Sequence, residues 1–288
     1  MTNPEKALVV FQSKNIRRIW FNGEWWFVIK DVVFALTDSK DPSQYLKKIR
    51  SRDKALNEAF KGGVQIVPPL GLEFETAGGN QVLQCWNTKG IFRLIQSIPS
   101  KKAEPFKQWL AKVGYDRVQE IENPELAQKR MREIYKAKGY SDDWIEKRVR
   151  GIAIRDELTD EWKKRGVLEE RDFAILTAEI SEATFGMTPA EYKKFKGLKR
   201  ENLRDHMNDL ELIFSMLGER VSAEITRTEN AQGYKKVEGA ARRGGRVAGN
   251  ARKETEKELG RPVTSSENYL FEPEKKKKRL EGNSTNGT

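Results

Sequence analysis

The stretch IRRIWFNGEWWFVI, residues 16–29, constrains the fold more than any other. Asn22-Gly23 separates two strand-like runs, and a two-residue loop of this type closes a β-hairpin because both residues tolerate positive φ. A two-residue loop also fixes register. Trp20 falls opposite Trp25, Ile19 opposite Trp26, and Arg18 opposite Phe27. One face then carries Ile19, Phe21, Trp26 and Val28; the other carries Arg18, Trp20, Trp25 and Phe27. Both faces are aromatic, so periodicity leaves open which of them is core. ALVVF (7–11) and QVLQCW (81–86) read as further strands, with a Gly/Pro-punctuated extended segment at 62–71 and a turn at Gly78-Gly79-Asn80.

Helices follow the hairpin. Lys30 to Leu36 is one short candidate. Asp41-Pro42 supplies an N-cap and a proline at the first helical position of a second, running to about Arg52, with Tyr45, Leu46 and Ile49 apolar and Lys47, Lys48, Arg50 and Arg52 around them. Asn87 or Thr88 caps a helix with Ile91, Leu94 and Ile95 inward. A longer helix from about Ala103 to Ile121 carries Phe106, Leu110, Val113 and Ile121 on one stripe. Asn123-Pro124 marks a domain boundary, and everything beyond it reads as helix: 142–165, 170–184 with Gly186 as its stop, a capping box at Thr188-Pro189-Ala190-Glu191, and an amphipathic stripe over 203–228. From Phe271 the chain is charged, then small and polar, the composition of a disordered tail. The fold class expected is therefore α+β: a small antiparallel sheet with helices over 1–122, an all-α domain over 123–230, and a basic Gly-rich arm with a disordered tail over 231–288.

Charge narrows the partners. Lys and Arg number 54 against 43 Asp and Glu, a net +11, and the pI is near 9.5. Such an excess favours an anionic partner, nucleic acid being the commonest. No apolar run approaches the ~20 residues a membrane span needs, and the start lacks a signal-peptide pattern. Cys85 is the only cysteine and His206 the only histidine, which excludes the usual zinc sets. A cytoplasmic setting is expected.

Four groups of residues are candidates for nucleic-acid contact. The helix pair between Asp31 and Arg52 resembles a helix-turn-helix, whose second helix presents its N-terminal residues to the major groove. Ser43, Gln44, Lys47 and Lys48 are then the readers, with Arg50 beside them; glutamine pairs bidentately with adenine, and lysine reaches guanine or phosphate. A short surface helix with a solvated basic face is the plainer alternative. Arg17 and Arg18 with Trp20 and Trp25 form an aromatic-plus-basic set suited to base stacking and phosphate contact, unless the aromatics are core. Lys101 and Lys102 precede the 103–121 helix, as phosphate contacts or as a surface pair. The fourth group lies in GAARRGGRVAGNARKE (239–254). A nucleotide loop needs a preceding strand and, in a P-loop, a Lys-Ser/Thr pair; neither is present. A mobile or partly helical basic arm fits, with Arg242, Arg243 and Arg246 touching phosphate in a salt-sensitive way, or else a solvated linker.

Catalytic constellations are poor. His206 lies near Asp205 and Asp209 but beside the best amphipathic stripe, so it reads as a surface or packing residue. Cys85 reads as a small buried hydrophobe. Glu73 and Glu75 straddle a strand-like segment, weak ground for a metal nuclease. No catalytic residue, cofactor or metal is expected.

Two segments carry a family resemblance. IRRIWFNGEWWFVIKDVVFAL (16–36) and WNTKGIFRLIQSIPSKKAEPFKQWLAKV (86–113) resemble the BRO-type N-terminal domain of prophage antirepressors and large DNA viruses. The likeness rests on Asp31, Val32, Ala35 and Leu36, then Gly90, Ile91, Leu94 and Ile95, then Ala103, Phe106 and Trp109. It covers about residues 7–121. Residues 53–80 depart from it, and Asp38 stands where a glycine-containing turn is common. The C-terminal half is similar to that of certain bacterial proteins of this kind and to the DNA-damage-inducible protein D group. The resemblance implies DNA binding by the N-terminal domain, of unknown strandedness, and a regulatory role in phage or stress-associated gene control, without catalysis. The alternative it leaves is an interaction protein whose helical half captures a phage repressor or recombination protein. A homo-oligomer is left open.

Overall fold

The computed structural model describes residues 10–11, 14–63, 66–76, 79–274 and 276. The chain divides into two units, Met1–Lys129 and Arg130–Thr288. In the first, two-residue strands β1 (Val10–Phe11) and β2 (Lys14–Asn15) pair antiparallel. Residues 7–9 of the strand expected at 7–11 lie outside the described residues, as do 64–65, 77–78, Lys275 and 277–288, which include most of the expected tail.

Asn22 and Gly23 take φ of 50° and 78°, and β3 (Arg18–Phe21) pairs with β4 (Glu24–Val28) in the register the loop demands. β4 also pairs with β6 (Gly79–Asn87), and β6 with β5 (Leu70–Thr76). The result is a four-stranded antiparallel sheet of order β3-β4-β6-β5. The two aromatic faces of the hairpin have different fates. Trp26 and Val28 are buried with Leu72 and Cys85, and Ile19, Phe21, Leu70 and Phe74 pack around them. Phe27 and its register partner Trp86 face the other way, into a core shared with the helices. The two-faced aromatic pattern thus reflects a sheet buried on both sides near the middle of β4.

The helices of this unit are α1 (Ile29–Thr37), α2 (Pro42–Arg52), α3 (Lys54–Phe60), α4 (Thr88–Gln96) and α5 (Glu104–Glu122). α1 ends at Asp38, whose φ of 51° is left-handed, the conformation a glycine supplies most cheaply; aspartate tolerates it better than most residues. The turn therefore keeps its geometry without glycine. α2 opens as its sequence predicts, with Asp41 accepting from the Gln44 amide and Pro42 in the first turn. α3 was illegible in the sequence. It is held from outside: Asp53 caps it at the Leu56 amide, pairs with Arg93 of α4 at 2.8 Å, and accepts from the Ser97 hydroxyl. Asn87 caps α4. Gly90 lies against the Trp86 indole, where an added Cβ would sit 2.2 Å from the ring.

Helix α6 (Glu125–Ala137) runs across the division between the units. The second unit contains α7 (Asp142–Lys164), α8 (Glu170–Phe185), α9 (Pro189–Phe195), a 3₁₀ turn (Leu203–His206), α10 (Asp209–Thr228) and α11 (Tyr234–Leu259). Gly186 stops α8 in the left-handed conformation, and Thr188 and Glu191 form the capping box expected of α9. The stripe read over 203–228 is not one helix. Met207 and Asn208 are extended, and Asn208 with Glu211 makes a second capping box that starts α10 afresh.

The largest correction concerns residues 231–259. The arm expected to be mobile or partly helical is instead a continuous 26-residue helix, α11, packed on α8 and α10. Its small residues form the seam: Ala240, Ala241, Gly244, Gly245, Ala248 and Gly249 are buried. A Cβ on Gly244 would meet the Ser222 backbone at 2.4 Å, and one on Gly249 the Ala183 carbonyl oxygen at 2.2 Å. The glycines are there because neighbouring helix backbones occupy the space a side chain needs. That closeness outweighs the roughly 1 kcal/mol each costs in helix propensity.

The segment after α11 is tied down by a buried polar network. Lys196 is 2 % exposed, and its ammonium bonds Glu211 at 3.0 Å and the carbonyls of Ser265 and Glu267. That satisfies all three donors. Glu211 also accepts from the Tyr192 hydroxyl and the Ser265 amide.

Candidate nucleic-acid interface

The outward face of α2 is the most open cationic surface among the sequence candidates. Leu46 and Ile49 turn inward against the core. Gln44, Lys47 and Lys48 therefore turn outward, together with Ser51 and Arg52. Ser43 is half-buried. None of Lys47, Lys48 and Arg52 has an ion-pair partner among the described residues. Arg52 was missed in the sequence and Arg50 was favoured over it. Helical spacing separates them: Arg52 is four residues after Lys48 on the open face, whereas Arg50 is turned inward. Arg50 donates to Asn57 at 2.9 and 3.1 Å, and its guanidinium lies 4.4 Å from the Phe60 ring centroid. It joins α2 to α3. The N-terminus of α2 is no open anion site, since Asp41 already occupies it as the cap.

At the hairpin, Arg17 and Arg18 part company. Arg17 makes a bidentate pair with Asp31, both bonds 2.7 Å, and its amide adds a third at 3.0 Å. This fixes the entry of β3 to the first turn of α1, and the bond to Asp31 raises the Arg17 pKa. Arg18 lies over Trp25 at 4.0 Å, and Trp25 meets Trp20 edge to face at 5.2 Å. Trp20 is 44 % exposed. The tip thus presents an aromatic edge with a cation stacked behind it, the pairing that binds unstacked bases.

Lys101 and Lys102 also diverge. Lys102 is paired with Asp38, which joins the turn before α2 to the turn before α5. Lys101 is exposed beside a shallow hollow with Ser100 and Lys107. Lys107, passed over in the sequence, adds a second cation there.

The arginines of α11 lie in the other unit and are engaged within it. Arg242 makes 2.7 and 3.0 Å bonds to Glu179, and Arg243 makes a two-bond pair with Glu229. Bonding to those carboxylates raises both pKa values. Arg246 alone of the three is exposed without an ion pair among the described residues.

The geometry of unit one agrees with what the family comparison finds. The model of the BRO family, N-terminal domain, matches residues 15–118. Residues 15–118 are a Bro-N domain. The match takes in the hairpin, the α1–α2 pair, α4 and most of α5, and also residues 53–80, which looked idiosyncratic in the sequence. Bro-N domains are associated with phage antirepressor and DNA-binding proteins and are generally non-catalytic. The C-terminal half is assigned to no family. No curated protein matches the chain.

The weak enzymatic candidates acquire structural roles. His206 is 7 % exposed, and its Nδ1 accepts from the Tyr269 amide at 3.0 Å. Burial lowers its pKa. Asp205 accepts from Arg148 at 2.9 Å and from the Tyr135 hydroxyl. Cys85 is buried and its thiol is pushed up to about 11 by burial. Glu73 and Glu75 stand exposed on the edge strand β5. Among the described residues no group of three or more His, Cys, Asp or Glu is placed to hold a metal ion, and no helix is long and apolar enough to cross a membrane.

Proposed function

We propose that the protein is a non-catalytic DNA-binding regulator of the prophage antirepressor kind, acting through its Bro-N domain. The observation that carries this reading is the outward row Gln44, Lys47, Lys48 and Arg52 on a helix seated on the domain core by Leu46 and Ile49. Arg18, Trp20 and Trp25 at the hairpin tip and Lys101 with Lys107 are proposed as further contacts. Arg17, Arg50 and Lys102, whose cations are engaged within the domain, are proposed to hold that surface in shape. The test is fluorescence anisotropy of the full chain with labelled duplex and single-stranded DNA across a salt series. Binding that weakens linearly in log–log form supports the reading. No binding to either DNA at low salt refutes it.

A second reading concerns the helical unit, and the pairing of Arg242 and Arg243 favours it. With those charges engaged by Glu179 and Glu229, this unit is better suited to a protein partner, such as a phage repressor or a recombination protein, than to DNA. Recovery of one stoichiometric protein partner by the full chain after nuclease treatment, lost when residues 130–288 are deleted, is the outcome that supports it.

A further inference from the structure

The helical unit has a partly open cavity of about 380 Å³ between α8, α9, the 3₁₀ turn and α10. Lys193, Arg200 and Arg204 line it, with Glu219 the lining carboxylate. Glu219 is 2 % exposed and already committed: Arg204 bonds it, and Arg155 reaches it at 2.9 Å from behind. Lys193 has no ion-pair partner among the described residues. A cation held over a half-apolar hollow without a counter-ion is a ready partner for an incoming anion.

Ser215 supplies a second, independent sign. It lines the same cavity and is 9 % exposed, yet its hydroxyl has no hydrogen-bond partner among the described residues. A buried helical serine ordinarily bonds the carbonyl four residues back. Ser222 on the same helix does so, to Gly218 at 2.7 Å. The hydroxyl opens onto the cavity and is free to donate to a ligand oxygen there. Phe185 and Met207 give the cavity an apolar wall.

We propose that this cavity is a binding site for a small organic oxyanion, a phosphate or carboxylate head carrying an apolar or aromatic body. Lys193 and Arg204 take the head, Ser215 donates to it, and Phe185 and Met207 cover the body. The site lies wholly within the helical unit, so the proposal stands or falls separately from DNA contact by the Bro-N domain.

The test is isothermal titration and thermal unfolding of the full-length protein with three probes: adenosine monophosphate, octanoate and inorganic phosphate. Either organic probe is expected to bind and, at ten times its Kd, to raise the Tm of the helical unit by about 3 °C. Which of the two binds tells phosphate from carboxylate. Lys193→Met is expected to weaken binding at least tenfold and Ser215→Ala severalfold, with the unliganded Tm unchanged in both. The proposal is overturned if neither organic probe binds, if inorganic phosphate binds as tightly as both, or if binding is indifferent to Lys193→Met.

Discussion

Helices α2 and α11 are both rich in basic residues, and they use their cations in opposite ways. α2 anchors itself with two large residues, Leu46 and Ile49, and leaves Lys47, Lys48 and Arg52 turned outward without ion pairs among the described residues. α11 anchors itself with glycines and alanines, and Arg242 and Arg243 fold back onto Glu179 and Glu229. A count of basic residues does not distinguish these cases. What does is whether carboxylates lie within reach once the helix is seated.

The comparison breaks most sharply at Gly249. Its replacement by alanine puts a Cβ 2.2 Å from the Ala183 carbonyl oxygen, a clash with backbone that no rotamer relieves. Gly249→Ala is expected to cost at least about 3 kcal/mol, by separating α11 from α8. Chemical denaturation of the full chain followed by tryptophan fluorescence checks it. An unchanged midpoint would mean the seam is looser than described. The corresponding small-to-large change at an exposed α2 position, Ser51→Leu, is expected to leave the midpoint alone.

Asp53 gives the next largest effect and tests how α2 and α3 are held. Asp53→Ala removes the α3 cap and leaves Arg93 without its carboxylate, a loss of about 2 kcal/mol. The acid response carries a definite sign. Burial works to raise the Asp53 carboxyl, but the Ser97 hydroxyl, the Leu56 amide and Arg93 outweigh it and hold the value at about 2, below the ordinary 3.8. A lowered folded-state value means the stabilisation is fully present above about pH 4. It is lost as pH falls through the folded value of about 2. In wild type the midpoint is expected to drop steeply across that window, and in Asp53→Ala less steeply. Parallel pH profiles would remove Asp53 from the account.

Much of the first unit was legible in the sequence, for reasons that can be named. Asn22-Gly23 set strand register outright, and Asp41-Pro42, like the Thr188 capping box of the second unit, marked a helix start because those signals act locally. The Bro-N likeness could be read for the same reason, from motif spacing along two short stretches. α3 was missed because its cap, Asp53, is stabilised by Arg93, forty residues away, a partner no local window reveals. The fate of the hairpin faces depended likewise on β6, which supplies Trp86 to one side and Cys85 to the other. At the candidate interface, spacing was enough to place Gln44, Lys47 and Lys48 outward. It could have separated Arg52 from Arg50 had the four-residue period been followed to the end of the helix. The continuous helix α11 was not legible because its glycines lower helix propensity, and what outweighs that cost is the close approach of the Ala183 and Ser222 backbones, distant in sequence.

Binding to DNA sharpens the comparison further. Lys47→Ala with Lys48→Ala is expected to leave stability unchanged, weaken duplex binding, and reduce the log–log salt slope by about 2, since each lost phosphate contact removes about 0.9. Anisotropy titrations at four salt concentrations measure the slope. A full wild-type slope in the double variant would move the interface off α2.

The smallest effect is expected from the helix that looked most suited to phosphate. Arg242→Gln with Arg243→Gln removes two formal charges from the exposed side of α11, yet both charges are opposed by carboxylates, Glu179 and Glu229. Exposed pairs of this kind contribute little to stability, and a cation already neutralised releases few counter-ions from DNA. The salt slope of the double variant is therefore expected to match wild type. Glu179→Gln with Glu229→Gln supplies the reverse test: it frees both guanidiniums, and steeper salt dependence in that variant, beside an unchanged slope in the arginine variant, would show that pairing keeps α11 off the DNA. A slope that falls in the arginine variant as far as in the lysine variant would place α11 at the interface after all and erase the distinction between the two helices.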